Sequence, residues 1–210
     1  MLADHYAARL KARRVMDLGC GAGDSVDLFR TVVPEVSWVG VDIDDSPEVA
    51  GRTRADAEFV TFDGRSLPFD DAGFELVYCK QVLEHVEHPR ELLAEVARVL
   101  QPGGHLAGST SQLEAFHSRS TLNWTPYGFT RLAEDAGLEV VELRPVIDGF
   151  TLVAWRALGL PRFFHRWWSR ESPPYRVIEL AARAARLDVR TRNQMKLVLA
   201  GQFAFLARRA

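Results

Sequence analysis

Cysteine is almost missing from this sequence of 210 residues: only Cys20 and Cys79 are present. Two isolated cysteines exclude a disulfide framework and a cysteine zinc site, and they point to a reducing, cytoplasmic setting. Long apolar runs are missing too. Asp148, Arg156 and Pro161 interrupt the most apolar region, so no stretch reaches the roughly 18 residues that span a bilayer. The start carries no signal-peptide pattern. Low-complexity tracts and internal repeats are absent, and with 47% hydrophobic and 26% charged residues the chain has a core-forming composition rather than a disordered one. Its length suits one domain over residues 1–210.

A net charge of −2 conceals an uneven distribution. Residues 1–149 carry 14 basic and 25 acidic side chains, whereas 150–210 carry 12 and 3. A basic end on an acidic body implies either an anionic partner or docking of one part on the other.

Apolar, β-branched runs alternate with amphipathic segments. Val15–Leu18, Trp38–Val41, Phe59–Phe62, Leu76–Cys79 and His105–Gly108 read as strands, which argues for a parallel sheet covered by helices on both faces. "PRELLAEVARVL" is the clearest helix, opened by Pro89 and stopped by "PGG"; Pro126–Ala136 is another, ending at Gly137. "LEVVELRP" reads as a sixth strand and Phe203–Ala207 as the last. More than forty residues rich in Trp, Phe and Arg lie between those two, including an amphipathic run from Tyr175 to Leu187. A connection that long calls for a helical lid or substrate-binding insertion, over 150–196.

The stretch "VMDLGCGAGDSV" places Gly19, Gly21 and Gly23 at alternate positions behind the first strand, with Asp17 ahead of them. Glycines let the backbone adopt positive φ and approach a ligand, and the helix starting near Asp24 aims free N–H groups at the same place. A dinucleotide-binding turn has similar geometry, so the loop alone does not name the ligand.

Four blocks in order do more: "MDLGCGAG", "VGVDIDDSP", "DGRSLPFDDAGFELVYCKQVLEHV" and "VLQPGGHL". Together they resemble the class I S-adenosylmethionine (SAM)-dependent methyltransferases, in particular the methyltransferase type 11 branch. The resemblance implies a Rossmann-like, doubly wound, seven-stranded, mostly parallel sheet with an antiparallel last strand. It also implies SAM as cofactor and S-adenosylhomocysteine as product, held by Asp17, Gly19, Cys20, Gly21 and Gly23 of the loop. Asp42 stands where such families bind the ribose hydroxyls, a contact suited to a carboxylate, with Ile43 against adenine; helix capping is the alternative for Asp42, although Asp44, Asp45 and Ser46 are better placed to cap. Asp63 resembles the acid that meets the adenine amino group, assisted by the Gly64 backbone, and Lys80 and Gln81 fall near the methionine portion.

An oxygen acceptor has to lose its proton, so a base is expected near it. The candidates are His117, His85 and Asp148. Gln81 and His85 are four apart, as on one helix face, but "LEHV" is widespread in the branch, so His85 and Glu84 are equally well read as structural. His117 lies in "STSQLEAFHSRSTLNWTPYGF", whose hydroxyls, amides and aromatics suit a polyol; a solvated loop with Thr125 as a helix cap is the alternative. Asp148, beside Gly149, orients a histidine, helps hold a divalent metal, or is a turn aspartate. No metal spacing is present, and Mg²⁺ stays a minority alternative.

The segment before the first strand is short, so the insertion is expected to cover the acceptor. Its Trp155, Phe163, Phe164, Trp167 and Trp168 form either a platform for sugar rings or internal helix packing. Arg162, Arg166 and Arg170 recur at four-residue spacing on one basic face. The overall pattern is similar to bacterial, notably actinobacterial, methyltransferases of sugar and polysaccharide synthesis, which implies a carbohydrate O-methyltransferase. Small-molecule, quinone or lipid acceptors are the alternative. Nucleic acid is disfavoured because "YCKQ" replaces the Asn/Asp-Pro-Pro-Tyr motif after the fourth strand, and "SPPY" at Ser172–Tyr175 is misplaced. A non-catalytic SAM-binding module and a homodimer remain open.

Overall fold

A computed structural model of the chain describes residues 2–114 and 118–210. Its centre is a seven-stranded sheet: β1 (Arg14–Leu18), β2 (Ser37–Ile43), β3 (Glu58–Phe62), β4 (Phe74–Lys80), β5 (Leu100–Ser111), β6 (Leu138–Pro145) and β7 (Gln202–Arg209). The spatial order is β3-β2-β1-β4-β5-β7-β6, and β7 alone runs opposite to the other six strands. All seven runs expected as strands are strands. β5 is longer than expected: it reaches back through "QPGG" to Leu100, where a register shift between Phe74 and Leu76 of β4 absorbs the extra residues.

The helices are α1 (Leu2–Leu10), α2 (Ser25–Val32), α3 (Pro47–Ala50), α4 (Pro89–Val99), α5 (Pro126–Asp135), α6 (Gly149–Ala157), α7 (Pro173–Ala184) and α8 (Val189–Val198). Strand side chains alternate between two cores because successive residues point to opposite faces. In β4, Val77 and Cys79 join the core under α4 and α5, while Leu76 and Tyr78 join the one under α1 and α2. The apolar stripe read in α4 is buried through Leu92, Leu93 and Val96, each contributing roughly 2 kcal/mol of burial. Thr125 caps α5 as expected, accepting from Gly128 N at 3.0 Å.

The strand order reverses at β1, whose neighbours β2 and β4 both run parallel to it. Crossovers leave in opposite directions there, opening a crevice beyond the carboxyl ends of these strands. The connection between β6 and β7 is mainly helical, formed by α6, a 3₁₀ turn over Arg162–Trp168, α7 and α8.

Candidate functional site

The crevice is a cleft of about 780 Å³. Its floor is the turn after β1, where Gly19 (φ +70°) and Gly21 (φ +50°) are left-handed. Space also demands glycine at 19: a Cβ there would lie 2.3 Å from Val82 Cγ2. The turn is pinned to β2 by Gly19 N and Cys20 N, which both donate to Val41 O, and by Gly21 N, which donates to Asp42 Oδ2 at 2.7 Å. Arg52 holds it from outside, donating Nε and Nη2 to Gly21 O while its guanidinium lies 3.9 Å from the Phe59 ring centroid. Arg52 carries no motif and is invisible in sequence, because its partners lie 31 residues away and on another strand.

Eight of the expected cofactor residues line this cleft: Gly19, Gly21, Asp42, Ile43, Asp63, Gly64, Lys80 and Gln81. Three do not. Asp17 is buried beneath the turn and accepts from Ser25 Oγ at 2.5 Å, with Trp38 Nε1 donating to the same hydroxyl. Burial pushes its carboxyl up to about 7, opposed by the Ser25 bond. The Cys20 thiol is turned inward, and burial together with Asp17 and Asp42 pushes it up to about 12, so it is not poised as a nucleophile. Gly23 packs against Phe59 rather than facing the cleft. These three support the turn from below.

Asp42 ends β2 half-buried. Burial raises its pKa above the ordinary carboxylate value, while the Gly21 and Ile43 amides that bond its two oxygens pull the other way. It caps no helix; Ser46 caps α3, accepting from Val49 N. At the end of β3, Asp63 Oδ1 accepts from Arg65 N and Ser66 N, which lowers its pKa and leaves Oδ2 outside those turn bonds. Across the mouth, Arg119 Nη1 donates to Asp45 Oδ2 at 2.8 Å and to Asp45 O at 2.9 Å, bridging two walls of the cleft.

On the β4 side, no α-helix joins Gln81 and His85. Gln81 is left-handed (φ +57°) and a short 3₁₀ turn over Leu83–His85 follows, yet both residues line the cleft. A non-glycine residue in that region costs roughly 1–3 kcal/mol and persists only where neighbours fix it. Here Gln81 N donates to Ser109 O and Gln81 Nε2 to Ser109 Oγ. Lys80 Nζ turns to Asp4 Oδ1 of α1, which also accepts from Tyr78 OH. Glu84 is fully buried and accepts from Thr110 Oγ1, as its structural reading requires.

His117 lies outside the described residues. Asp148 is a correction. It does not line the cleft; it is fully buried as the N-cap of α6, accepting from Thr151 N at 2.8 Å, because Gly149 opens a helix rather than a loop. The sequence reading also missed Glu114. This buried carboxylate accepts from Ser111 Oγ at 2.6 Å, from Arg156 Nη2 at 2.7 Å and from Gln202 Nε2. Ser111 Oγ stands 3.4 Å from Gln81 Oε1, so one polar chain connects the cleft wall to the insertion.

None of the residues 150–196 lines the cleft. The insertion packs instead beside β6 and β7, through Asn193 Nδ2 on Leu143 O and Trp168 Nε1 on Gln202 Oε1. Its aromatics mostly pack on each other: Trp155 meets Trp168 edge-on at 4.8 Å and Phe164 is buried, while Phe163 is exposed. Among the described residues, no three His, Cys, Asp or Glu side chains gather to hold a metal ion.

The cleft fits SAM on its own geometry. The Gly19–Gly21 turn leaves no room for a side chain at 19, and Asp42 and Asp63 present carboxylates along the same wall. Residues 16–108 match the family described as "Methyltransferase domain". Among curated relatives, a phthiotriol/phenolphthiotriol dimycocerosates methyltransferase of Mycobacterium leprae is 33% identical over 47% of this chain and 37% of its own length. A ubiquinone/menaquinone biosynthesis C-methyltransferase of Dinoroseobacter shibae is 35% identical over 48% and 43%. A "probable S-adenosylmethionine-dependent methyltransferase" of Mycolicibacterium smegmatis is 32% identical over 68% and 58%. The chain thus spans about half the length of the curated relatives it matches. Among solved structures, a chain from the Haloferax volcanii complex of the Trm112 methyltransferase activator has the same fold, with TM-score 0.64 and 21% identity over 98% of this chain and 88% of that one. Sheet order, glycine turn and family match agree: residues 16–108, which match the methyltransferase-domain family, carry the cleft's glycine turn, Asp42 and Asp63 within a sheet of order β3-β2-β1-β4-β5-β7-β6.

Proposed function

We propose that the protein methylates a hydroxyl of a small acceptor, with SAM as donor. The observation that carries this reading is the convergence of the Gly19–Gly21 turn, Asp42 and Asp63 on one cleft at the strand-order reversal. When bound, SAM supplies a methyl group on a positively charged sulfur. Asp42 accepts the ribose hydroxyls, Ile43 and the Gly64 backbone flank adenine, and Asp63 accepts its amino hydrogen. Lys80 and Gln81 border the methionine end, so the acceptor enters beside them. Alignment of the acceptor with the methyl carbon is the chief contribution of the protein, a device that supplies roughly 7–11 kcal/mol in favourable cases. A neutral hydroxyl also needs a base, and His85, at the cleft wall, and His117 are the residues assigned to it.

The carbohydrate reading rests on the hydroxyl-rich segment over residues 109–129 and on the sequence pattern that follows it. A second reading, a quinone or lipid acceptor, is favoured by the activities for which the Mycobacterium leprae and Dinoroseobacter shibae relatives are named. Methyl-labelled SAM incubated with oligosaccharide and lipid fractions, with and without a chelator, tests both. Label in neutral oligosaccharide supports the first, label in lipid the second, and transfer to neither overturns the proposal. His117→Ala and His85→Ala separate the bases: loss of the true base cuts turnover about 10²–10⁴-fold with S-adenosylhomocysteine affinity unchanged.

A further inference from the structure

The insertion is built inside out. Of the seventeen large apolar side chains exposed among the described residues, twelve lie between Phe150 and Leu199. They follow helical spacing on the outer faces. In α6, Phe150 and Val153 point to solvent (67% and 54% exposed), followed by Leu158 and Leu160, while Thr151 and Leu152 face inward. In α7, Val177 and Leu180 are 67% and 70% exposed, while Tyr175 and Ala182 are buried. Surface helices of a monomer ordinarily turn such stripes toward the core.

The insertion is also cationic. The three acids beyond residue 149 are already engaged: Glu171 with Lys196, Glu179 with Arg183, Arg192 and Lys196, and Asp188 in the cap of α8. Arg162, Arg166, Arg176 and Arg186 meet no carboxylate among the described residues within ion-pair distance, whereas Arg170 and Arg190 line a cleft between the insertion and β6. Arg166 lies over the rings of Phe163 and Trp167, which keeps its charge at the edge of the apolar stripe.

From this we infer that the outer face of the insertion seats on an anionic lipid bilayer, arginines at the headgroups and aliphatic side chains at the acyl boundary. Charge complementarity selects this occupant. A second copy docked through the same face would bring two cationic faces together across a twofold axis. Nucleic acid would neutralise the arginines but leave the aliphatic stripes without a partner, and the tryptophans that would stack on bases pack within the insertion. The inference is independent of the acceptor, since lipid binding is read without methyl transfer.

The test is sedimentation of the full chain with phosphatidylcholine vesicles, with and without 30% phosphatidylglycerol. Two variants accompany it, R162Q/R166Q/R176Q and F150S/V153S/L158S, each checked for native melting and S-adenosylhomocysteine binding. Partition onto anionic vesicles should exceed that onto neutral ones by at least about tenfold and fall by a similar factor in the arginine variant. The serine variant should also release the protein, and salt should weaken binding. Absence of partition onto anionic vesicles overturns the inference, as does partition unchanged in both variants. Self-association or RNA binding that the arginine variant abolishes, without vesicle binding, would reassign the face to a second copy or to nucleic acid.

Discussion

Gly19→Ala probes the site at the point where chain geometry and cofactor meet. Two costs combine. A side chain at φ +70° costs about 1–2 kcal/mol in the left-handed region, and a Cβ at 2.3 Å from Val82 Cγ2 and 2.7 Å from Cγ1 is an overpacking defect of about 1–3 kcal/mol. Gly19 N is held by Val41 O at 2.7 Å, so the turn yields little and Val82, a cleft residue, is the group displaced. The expected loss is roughly 2–5 kcal/mol, a fall in Tm on the order of 10 °C. S-adenosylhomocysteine affinity by calorimetry should drop at least about tenfold, equivalent to 1.4 kcal/mol. Val82→Ala divides the two costs. In Gly19→Ala/Val82→Ala the clash is relieved while the backbone cost remains, so a cycle of urea unfolding should show a favourable coupling of about 1–3 kcal/mol. A Gly19→Ala protein of native stability and affinity, or a cycle without coupling, would refute the reasoning.

Asp42→Asn should weaken S-adenosylhomocysteine binding by roughly 10–100-fold, as for loss of hydrogen bonds to a charged group, and unchanged affinity would remove Asp42 from the ribose. Because burial raises the Asp42 pKa, that affinity should decline with falling pH at values above those expected for an ordinary carboxylate near 4, measurable by calorimetry across pH 4–8. Asp17 titrates at about 7 in the folded protein. Between about pH 4 and that value the native state therefore keeps a proton that the unfolded chain releases, so this group's contribution makes stability fall as pH rises, by up to about 4 kcal/mol. Asp17→Asn should flatten that slope in urea melts, and an unaltered slope would reject the assignment. Arg119→Ala unties Asp45 across the mouth of the cleft. It should speed S-adenosylhomocysteine release in stopped flow while changing stability by less than about 0.5 kcal/mol, as for an exposed ion pair.

Local features of this chain determined much of the outcome. The alternating runs became seven strands, because side chains two apart share a sheet face and the pattern needs no distant partner. The glycine spacing became the turn, and Asp42 and Asp63 fell at strand ends facing the cleft, since a short run that ends in an acid puts that acid at the carboxyl edge of a parallel sheet. Tertiary structure alone decided the rest. It turned Asp17 and Cys20 beneath the cradle, spent Asp148 on a helix cap, and brought His85 to the cleft through a left-handed Gln81 and a 3₁₀ turn rather than an α-helix. Arg52 and Arg119 reached the site from remote positions, and Glu114 met Gln202 across 88 residues of sequence. Such pairings follow from how whole layers pack, and no local periodicity encodes them. The apolar outer face of the insertion is the clearest instance: helical spacing sets where a stripe lies on its helix, but only packing decides whether it turns toward the core or toward solvent.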